Sequence, residues 1–175
     1  MVSKLLERKK VHEHKVGIAT DIKFGVVTVS DSRFLKKIED ISGSYIKKRV
    51  KEAGYKVVYY RIVPDEIASI RKAFEEGITI CDCMVFTGGT GISKRDVTLE
   101  ALNCYFEKEL PGFGELFRML SYKEVGSISM LSRACAGTIK DKAVFLLPGS
   151  PNSVELAVNS LILPEIPHIL KMLRS

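Results

Sequence analysis

The chain has 175 residues, of which 46% are hydrophobic, a length and a composition typical of one α/β domain with a sizeable core. No apolar run approaches the roughly 20 residues that span a bilayer, and the N-terminus lacks the apolar middle of a signal peptide. We therefore expect a cytoplasmic protein without a membrane partner. A net charge of +6 would attract anionic substrates.

Half of the excess positive charge lies near the N-terminus. The first fifteen residues contain five basic side chains against Glu7 and Glu13. We predict that residues 1–16 form a basic arm and that residues 17–175 form the domain. The arm either binds nucleic acid or is solvated, and the lack of an aromatic residue before Phe24 favours the solvated arm.

The first predicted element is a strand over residues 24–30, whose β-branched and nearly all-apolar sequence is typical of a strand buried on both faces of a parallel sheet. A polar cluster that includes Ser30, Asp31 and Arg33 follows it. Because open α/β sheets bind ligands at the carboxyl ends of their strands, this cluster is either one wall of a binding site or a loop with a helix cap.

A helix is predicted from Ser42, with Gly54 at its C-terminal stop, and a second strand follows over Lys56–Val63. Pro64 ends this strand because proline cannot donate to a sheet ladder. Asp65 can begin the next helix. It also lies at the carboxyl end of a strand, as Asp31 does.

A third strand over Cys83–Thr87 leads into the stretch T-G-G-T-G-I-S-K-R-D-V-T-L-E-A at residues 87–101. Its glycines allow successive N–H groups to converge on one anion, and Asp96 is placed to cap a following helix. The stretch fits neither the P-loop nor the dinucleotide-binding pattern. A phosphate site formed by the loop and the helix N-terminus and a purely structural turn both remain open.

The order β-α-β-α-β-α predicts a three-layer α/β/α fold with a mostly parallel central sheet. Asp31, Asp65 and Asp96 each follow a strand. If those strands are neighbours, the three carboxylates share one rim with the glycine-rich loop. Such a rim suits a nucleotide bound with magnesium.

The second half of the chain continues this pattern. A helix is predicted after the glycines that bracket Phe113, and residues 126–133 form a hydroxyl-rich loop. Residues 134–138 and 143–147 are predicted to pair as a hairpin. Asn152 or Ser153 can start the next helix, and Pro164 and Pro167 are predicted to break the last helical piece.

Metal and histidine chemistry are limited by composition. The four cysteines form no C-x-x-C pair, and His12, His14 and His168 lie in the terminal segments. Zinc binding and a Ser-His-Asp triad are therefore not expected. The remaining chemistry is that of carboxylates and a metal ion acting on phosphates.

Six motifs give the chain a resemblance to the MoaB/MogA family of molybdenum-cofactor biosynthesis proteins, from about Phe24 to about Ile169. They are T-V-S-D-S-R at 28–33, V-P-D-E at 63–66, T-G-G-T-G with R-D-V-T-L-E-A at 87–101, P-G-F-G-E-L-F-R at 111–118, L-S-R-A-C-A-G at 131–137 and L-P-G-S-P at 147–151. The stretch F-R-M-L-S-Y-K-E-V-G-S resembles the MoaB branch more closely than the MogA branch.

The resemblance implies one α/β domain, assembled as a homotrimer or homohexamer, that binds molybdopterin and ATP. Active members adenylylate molybdopterin and release pyrophosphate, and the product then accepts molybdate or tungstate. Other cofactor-biosynthesis proteins are implied as possible partners. A non-catalytic pterin-binding or scaffold protein is the alternative within the family, and retention of both family aspartates favours the enzyme.

Asp65 and Asp96 match the family's two catalytic aspartates, and we expect them to organise Mg²⁺. The glycine-rich loop matches the nucleotide site, where Gly88 to Gly91 would hold phosphates through N–H groups and Lys94 or Arg95 would add positive charge. The residues expected to line the nucleotide and pterin sites are Ser30, Asp31, Gly88, Gly89, Thr90, Gly91, Ser93, Lys94, Arg95, Glu115, Ser127, Ser132, Arg133, Pro148, Gly149 and Ser150.

Overall fold

The computed structural model of the chain describes residues 21–36 and 38–175, so the arm predicted for residues 1–16 lies outside it. One six-stranded sheet has the order β2-β1-β3-β6-β5-β4. Strands β2, β1, β3 and β6 run parallel, whereas β5 is antiparallel to both β6 and β4. The strands are β1 Lys23–Val29, β2 Lys56–Val63, β3 Cys83–Thr87, β4 Lys108–Glu109, β5 Cys135–Ile139 and β6 Lys142–Leu147.

Helices flank the sheet on both faces. The α-helices are α1 Asp31–Lys36, α2 Ile41–Glu52, α3 Ile67–Ile78, α4 Thr98–Leu102, α5 Pro111–Val125, α6 Pro151–Ala157 and α7 Leu163–Leu173. Short 3-10 helices cover Asn103–Tyr105 and Gly126–Leu131, and a π-helical segment, Val158–Ile162, joins α6 to α7.

The two faces of the sheet bury separate apolar clusters. On one face, side chains such as Val85 and Phe145 pack with α2, α5, α6 and α7. On the other, Met84 and Phe86 pack with α3 and α4. Because strands buried on both faces are apolar at nearly every position, β1, β3 and β6 could be recognised in the sequence. The predicted three-layer arrangement with a hairpin, β5–β6, is confirmed.

The prediction that prolines break the C-terminal helix is wrong. The chain stays helical over residues 151–173, with the π-helical segment ending two residues before Pro164 and with Pro167 inside α7. A proline ring clashes with the carbonyl four residues earlier, which for Pro164 belongs to Ser160 in the wider π turn. Six apolar side chains of this helix are almost fully buried against the sheet: Val154, Ala157, Val158, Ile162, Ile166 and Leu170.

This continuous helix is 23 residues long, and among the described residues it is the one that is long and apolar enough to cross a membrane by length and composition. Its buried stripe belongs to the core cluster beneath the sheet. That packing accounts for its apolar character within the domain.

Several element boundaries also differ from the predictions. Helix α2 begins at Ile41 because the carboxylate of Asp40 accepts the N–H of Gly43 and caps it. Helix α5 begins at Pro111 and so includes the glycines expected to precede it. Ser150, rather than Asn152 or Ser153, caps α6.

Candidate active site

The carboxyl ends of four parallel strands meet at one edge of the sheet. Asp31 follows β1, Asp65 follows β2, and a ten-residue segment, residues 88–97, follows β3 and is called the glycine loop below. Residues 148–150 follow β6 and are called the P-G-S loop. Since β1 lies between β2 and β3 in the sheet, the predicted neighbourhood of these strand ends is confirmed.

Asp31 and Asp65 hold each other across the ends of β1 and β2. The backbone N–H of Asp31 donates to Oδ2 of Asp65 at 2.8 Å, and the backbone N–H of Asp65 donates to Oδ1 of Asp31 at 2.9 Å. The guanidinium of Arg95 makes an ion pair with Oδ2 of Asp31. The N–H of Asp65, together with Arg95, holds the pKa of the Asp31 carboxyl below its usual value.

Asp65 has the opposite electrostatic situation. Burial raises the pKa of its carboxyl, and the negative charges of Asp31 and Asp96 raise it as well. The N–H of Asp31 and the charge of Arg95 lower the pKa, but the net shift is upward. Its Oδ1 faces Gly89, where a Cβ would lie 3.3 Å from it. Among the described residues, no protein group donates a hydrogen bond to this Oδ1. The atom is therefore available as an oxygen ligand beside the glycine loop.

The first glycine of the loop is fixed by its surroundings. Gly88 has φ of +103°, and a Cβ there would lie 2.1 Å from the carbonyl oxygen of Val29. Its N–H donates to the carbonyl of Leu147 at 2.9 Å. The prediction that the N–H of Gly88 holds a phosphate is therefore wrong, because strand β6 already takes it, and the phosphate-binding N–H groups have to come from later in the loop.

Asp96 shapes the loop instead of capping a helix. Its Oδ2 accepts the backbone N–H of Ser93 at 2.8 Å, whereas Val97 occupies the N-cap position of α4 without a side-chain cap. Burial raises the pKa of Asp96, but hydrogen bonds from Ser93 and from the Gly91 N–H outweigh it, so the pKa is lowered overall. The prediction that Asp96 caps a helix is wrong, because its carboxylate accepts hydrogen bonds from N–H groups within the loop.

The helix predicted to complete an anion site is short, and the first of its N–H groups is already bonded. Helix α4 has five residues, too few for a substantial helix dipole. The N–H of Thr98, its first residue, donates to the carbonyl of Gly89 at 3.0 Å. Any anion site here has to be built from the loop backbone itself.

The carboxylates at the rim limit the kind of metal ion that could bind there. No group of three or more His, Cys, Asp or Glu side chains among the described residues has an arrangement that could hold a metal ion, and Asp31 is paired with Arg95. Mg²⁺ is usually held by only one or two carboxylates plus substrate phosphates. Asp65, with its free Oδ1, and the ionised Asp96 fit that smaller donor set.

Arg133 clamps the glycine loop from outside. Its Nε donates to the carbonyl of Gly91 at 2.7 Å, and a terminal nitrogen donates to the carbonyl of Asp96 at 3.0 Å. The other terminal nitrogen pairs with Glu100 at 2.5 Å. The guanidinium is thus occupied by backbone and by Glu100, so Arg133 acts on the loop shape and not as a free cation for a ligand.

A cavity of about 340 Å³, called the main cavity below because it adjoins the strand-end loops, opens between the glycine loop, the P-G-S loop and the end of α5. This volume suits a small organic ligand. The predicted site residues that line it are Gly89, Thr90, Gly91, Asp96, Ser132, Pro148 and Gly149. The lining residues that the sequence reasoning missed are Phe117, Ser121, Val125, Ile128, Ser129, Leu131 and Ser153. Phe117, Ser121 and Val125 recur every four residues along α5, a helical spacing that could have indicated them.

Other predicted residues lie outside this cavity. Glu115 lines a second cavity of about 200 Å³, together with Arg118 and Arg133. Ser127 and Ser150 are exposed and line neither cavity, and the Oγ of Ser150 accepts the N–H of Ser153. The remaining predicted residues lie at the strand ends and do not line the main cavity: Ser30, Asp31, Gly88, Ser93, Lys94 and Arg95.

Known proteins share this fold and these motifs. A family model described as a probable molybdopterin binding domain matches residues 25–168. Molybdenum cofactor biosynthesis protein B of Bacillus cereus is 49% identical over 162 residues, covering 91% of this chain and 95% of that protein. A probable molybdopterin adenylyltransferase of Methanocaldococcus jannaschii is 48% identical over 161 residues, covering 88% and 95%.

Among solved structures, the tungsten cofactor synthesizing protein MoaB from Pyrococcus furiosus matches with a TM-score of 0.85 at 43% identity, covering 90% of this chain and 99% of that one. Sequence and fold therefore agree over almost the whole described domain. The chain belongs to the MoaB/MogA family of molybdenum-cofactor biosynthesis proteins.

Proposed function

We propose that the chain catalyses the Mg²⁺- and ATP-dependent adenylylation of molybdopterin in molybdenum or tungsten cofactor biosynthesis. The observation that carries the proposal is the half-buried carboxyl of Asp65, whose Oδ1 lies beside the glycine loop at the shared strand ends. The chain is 48% identical to a protein named as a probable molybdopterin adenylyltransferase. Asp65 and Asp96 are the catalytic pair in this proposal.

In this reaction a terminal phosphate oxygen of molybdopterin attacks the α-phosphorus of ATP. A new P–O bond forms as the bond from the α-phosphorus to the bridging oxygen breaks, and pyrophosphate leaves with that electron pair. Such transfers depend on positioning and on neutralising phosphate charge. Asp65 and Asp96 would hold Mg²⁺, which would neutralise phosphate charge, while loop N–H groups and Lys94 or Arg95 would bind the phosphates.

The walls of the main cavity suit a ligand that has a phosphate group at one end and a ring system at the other. Gly89, Gly91 and Gly149 offer backbone on one side, and Phe117 and Leu131 offer apolar surface. Phosphates suit the first side, and a flat ring system suits the second. We place the phosphate ends of both substrates beside the glycine loop.

We further propose a homotrimer or homohexamer that works in the cytoplasm, with other cofactor-biosynthesis proteins as possible partners. Support comes from exposed apolar side chains of α5 and the segment after it, an area called the apolar face below. The apolar face consists of Leu116, Met119, Tyr122, Val125, Ile128, Met130 and Leu131. Surface of this kind is typical of a subunit interface.

The deciding experiment incubates the purified protein with molybdopterin, ATP and Mg²⁺ and measures released pyrophosphate. We expect stoichiometric release that requires all three components. Asp65→Ala should abolish turnover and leave molybdopterin binding largely intact, whereas Asp141→Ala, in the exposed turn between β5 and β6, should keep wild-type activity. Molybdopterin binding without ATP consumption by the wild type would favour the scaffold alternative, and normal turnover by Asp65→Ala would refute the assignment of that residue.

A further inference from the structure

Buried hydroxyl groups hold the backbone carbonyls of both strand-end loops. The Oγ1 of Thr98 donates to the carbonyl of Gly88 at 2.8 Å, and the Oγ1 of Thr87 donates to the carbonyl of Pro148 at 3.0 Å. Both threonines are 0% exposed. Ser42, also buried, donates to the carbonyl of Gly149 at 2.9 Å. Three loop carbonyls are therefore tied to the protein interior.

These bonds fix the direction of the N–H groups on the same peptide units. In a planar trans peptide, the N–H of one residue points opposite to the carbonyl of the residue before it. With the Gly88 and Pro148 carbonyls held inward, the N–H groups of Gly89 and Gly149 point away from the interior. Both glycines line the main cavity. No described residue accepts a hydrogen bond from either N–H.

The two peptide units lie close together. A Cβ on Gly149 would be 3.3 Å from the Cα of Gly88, so the two loops touch through their backbones. Converging N–H groups from adjacent loops form a concave site for an anion. Because polar backbone groups in folded proteins nearly always have a partner, a ligand or water has to accept these two N–H groups.

These hydroxyl contacts differ from the local hydrogen bonds that buried Ser and Thr side chains usually make. A buried Ser or Thr commonly bonds a carbonyl three or four residues away. Here the donors and acceptors are 10, 61 and 107 residues apart in sequence. The bonds join different elements, so they set the position of one loop against another.

We propose that Thr98 and Thr87 are positioning residues that orient the Gly89 and Gly149 N–H groups toward an oxyanion of a phosphate or pyrophosphate group, with Ser42 fixing the next peptide unit. This inference rests on the proposed function for the identity of the substrate, but anion binding by the two N–H groups can be measured without turnover. Loss of either hydroxyl frees a carbonyl to turn toward the cavity, where its negative end repels phosphate.

The test compares the binding of inorganic pyrophosphate, by calorimetry, to the wild type and to Thr98→Val, Thr87→Val and Thr98→Ser. Valine preserves the shape of threonine but cannot donate, whereas serine keeps the donor. Thr138→Val is the matched control, because Thr138 is a buried threonine on β5 that lines neither cavity. Melting curves check that each variant is folded, and KM and kcat for ATP are measured on the same samples.

We expect each threonine-to-valine change at the loops to weaken pyrophosphate binding and raise the KM for ATP about 10-fold, as for the loss of one oriented donor. Thr98→Ser and Thr138→Val should stay within about twofold of the wild type. No measurable pyrophosphate binding by the wild type, equal binding by folded Thr98→Val and Thr87→Val, or equal damage from Thr98→Ser would each overturn the proposal. A wild type that binds pyrophosphate but does not adenylylate molybdopterin would refute the proposed function and leave the anion site standing.

Discussion

Asp31 and Asp65 each donate a backbone N–H to the other's carboxylate across the ends of β1 and β2, and yet their surroundings shift the two pKa values in opposite directions. The N–H of Asp65 and then Arg95 stabilise ionised Asp31. Burial and neighbouring negative charge destabilise ionised Asp65. A carboxyl group whose ionisation costs stability is typical of a functional site. The phosphates and cation of the proposed reaction would relieve that cost.

Replacing Asp65 by asparagine should remove activity and increase stability. Because the folded pKa of Asp65 is above its unfolded value, the folded state holds more protons between the two values, and stability falls as pH rises through that window. Above that window the ionised carboxyl carries the full cost, and the uncharged asparagine side chain would avoid it while its oxygen still accepts the Asp31 N–H. We expect the melting temperature of Asp65→Asn at pH 7 to rise by about 2–4 °C.

Asp31→Asn is the matched comparison for Asp65→Asn. Its folded pKa is lowered, so its stabilising contribution is present above the unfolded pKa and is lost as pH falls through the folded pKa. Asp31→Asn should therefore lower the melting temperature at pH 7, and its effect should shrink under acid conditions. Equal destabilisation by both substitutions at pH 7 would contradict the electrostatic account given for Asp65.

The role of a residue could be predicted from the sequence only where the residue belongs to a recognisable motif. Asp65 and the glycines were found because they follow strands of a parallel sheet. The hydrogen bonds of Asp96 could not be found, because the turn that brings the N–H of Ser93 to its carboxylate depends on the folded path of a ten-residue loop. The hydrogen bonds from Arg133 to the loop join residues that are 37 and 42 positions apart in the sequence. Hydrophobic periodicity cannot indicate contacts at such a separation.

At the scale of an element, the glycine loop depends on close backbone approach at its start. Gly88→Ala combines a positive φ with a Cβ 2.1 Å from the Val29 carbonyl oxygen. Gly54→Ala also requires a positive φ, but nothing lies within 4 Å of its Cβ. We expect about 1–2 kcal/mol of destabilisation for Gly54→Ala and more than about 3 kcal/mol for Gly88→Ala, measured by urea unfolding. Similar losses for the two variants would show that close approach at Gly88 contributes little.

The clamp on the same loop gives an independent prediction. Arg133→Gln removes the forked donors that hold the Gly91 and Asp96 carbonyls, so the loop loses its fixed shape and the KM for ATP should rise about 10-fold. Glu100→Gln leaves both carbonyl contacts in place and should change the KM by less than about threefold. Steady-state kinetics on both variants measure this difference. An equal effect from Glu100→Gln would mean that the ion pair, and not the carbonyl contacts, holds the loop.

Element prediction succeeded for the strands and failed where packing overrides local preference. Strand β2 was predicted with its observed bounds, Lys56–Val63, because β-branched and aromatic residues end at a proline. Strand β4 has two exposed residues and no pattern to reveal it. The C-terminal helix continues past two prolines because burial of its six apolar side chains outweighs the roughly 3 kcal/mol cost of each proline.

At the scale of the whole molecule, the apolar face is adjacent to the candidate site. Val125, Ile128 and Leu131 belong to this face and also line the main cavity. A second copy of the chain seated there would exclude water from one wall of the site. Assembly and activity should therefore be lost together when the face is disrupted.

Met119 provides the test of that assembly. Its side chain is 52% exposed on α5 and belongs to the apolar face, whereas Met172 is 65% exposed on α7 outside it. Burying an unpaired carboxylate at an interface is strongly unfavourable, so Met119→Glu should convert the oligomer to monomers in size-exclusion chromatography with light scattering, and adenylylation should fall with it. Met172→Glu should keep the wild-type mass and activity. A wild type that is already monomeric at micromolar concentration, or a Met119→Glu variant of unchanged mass, would place the subunit contact elsewhere.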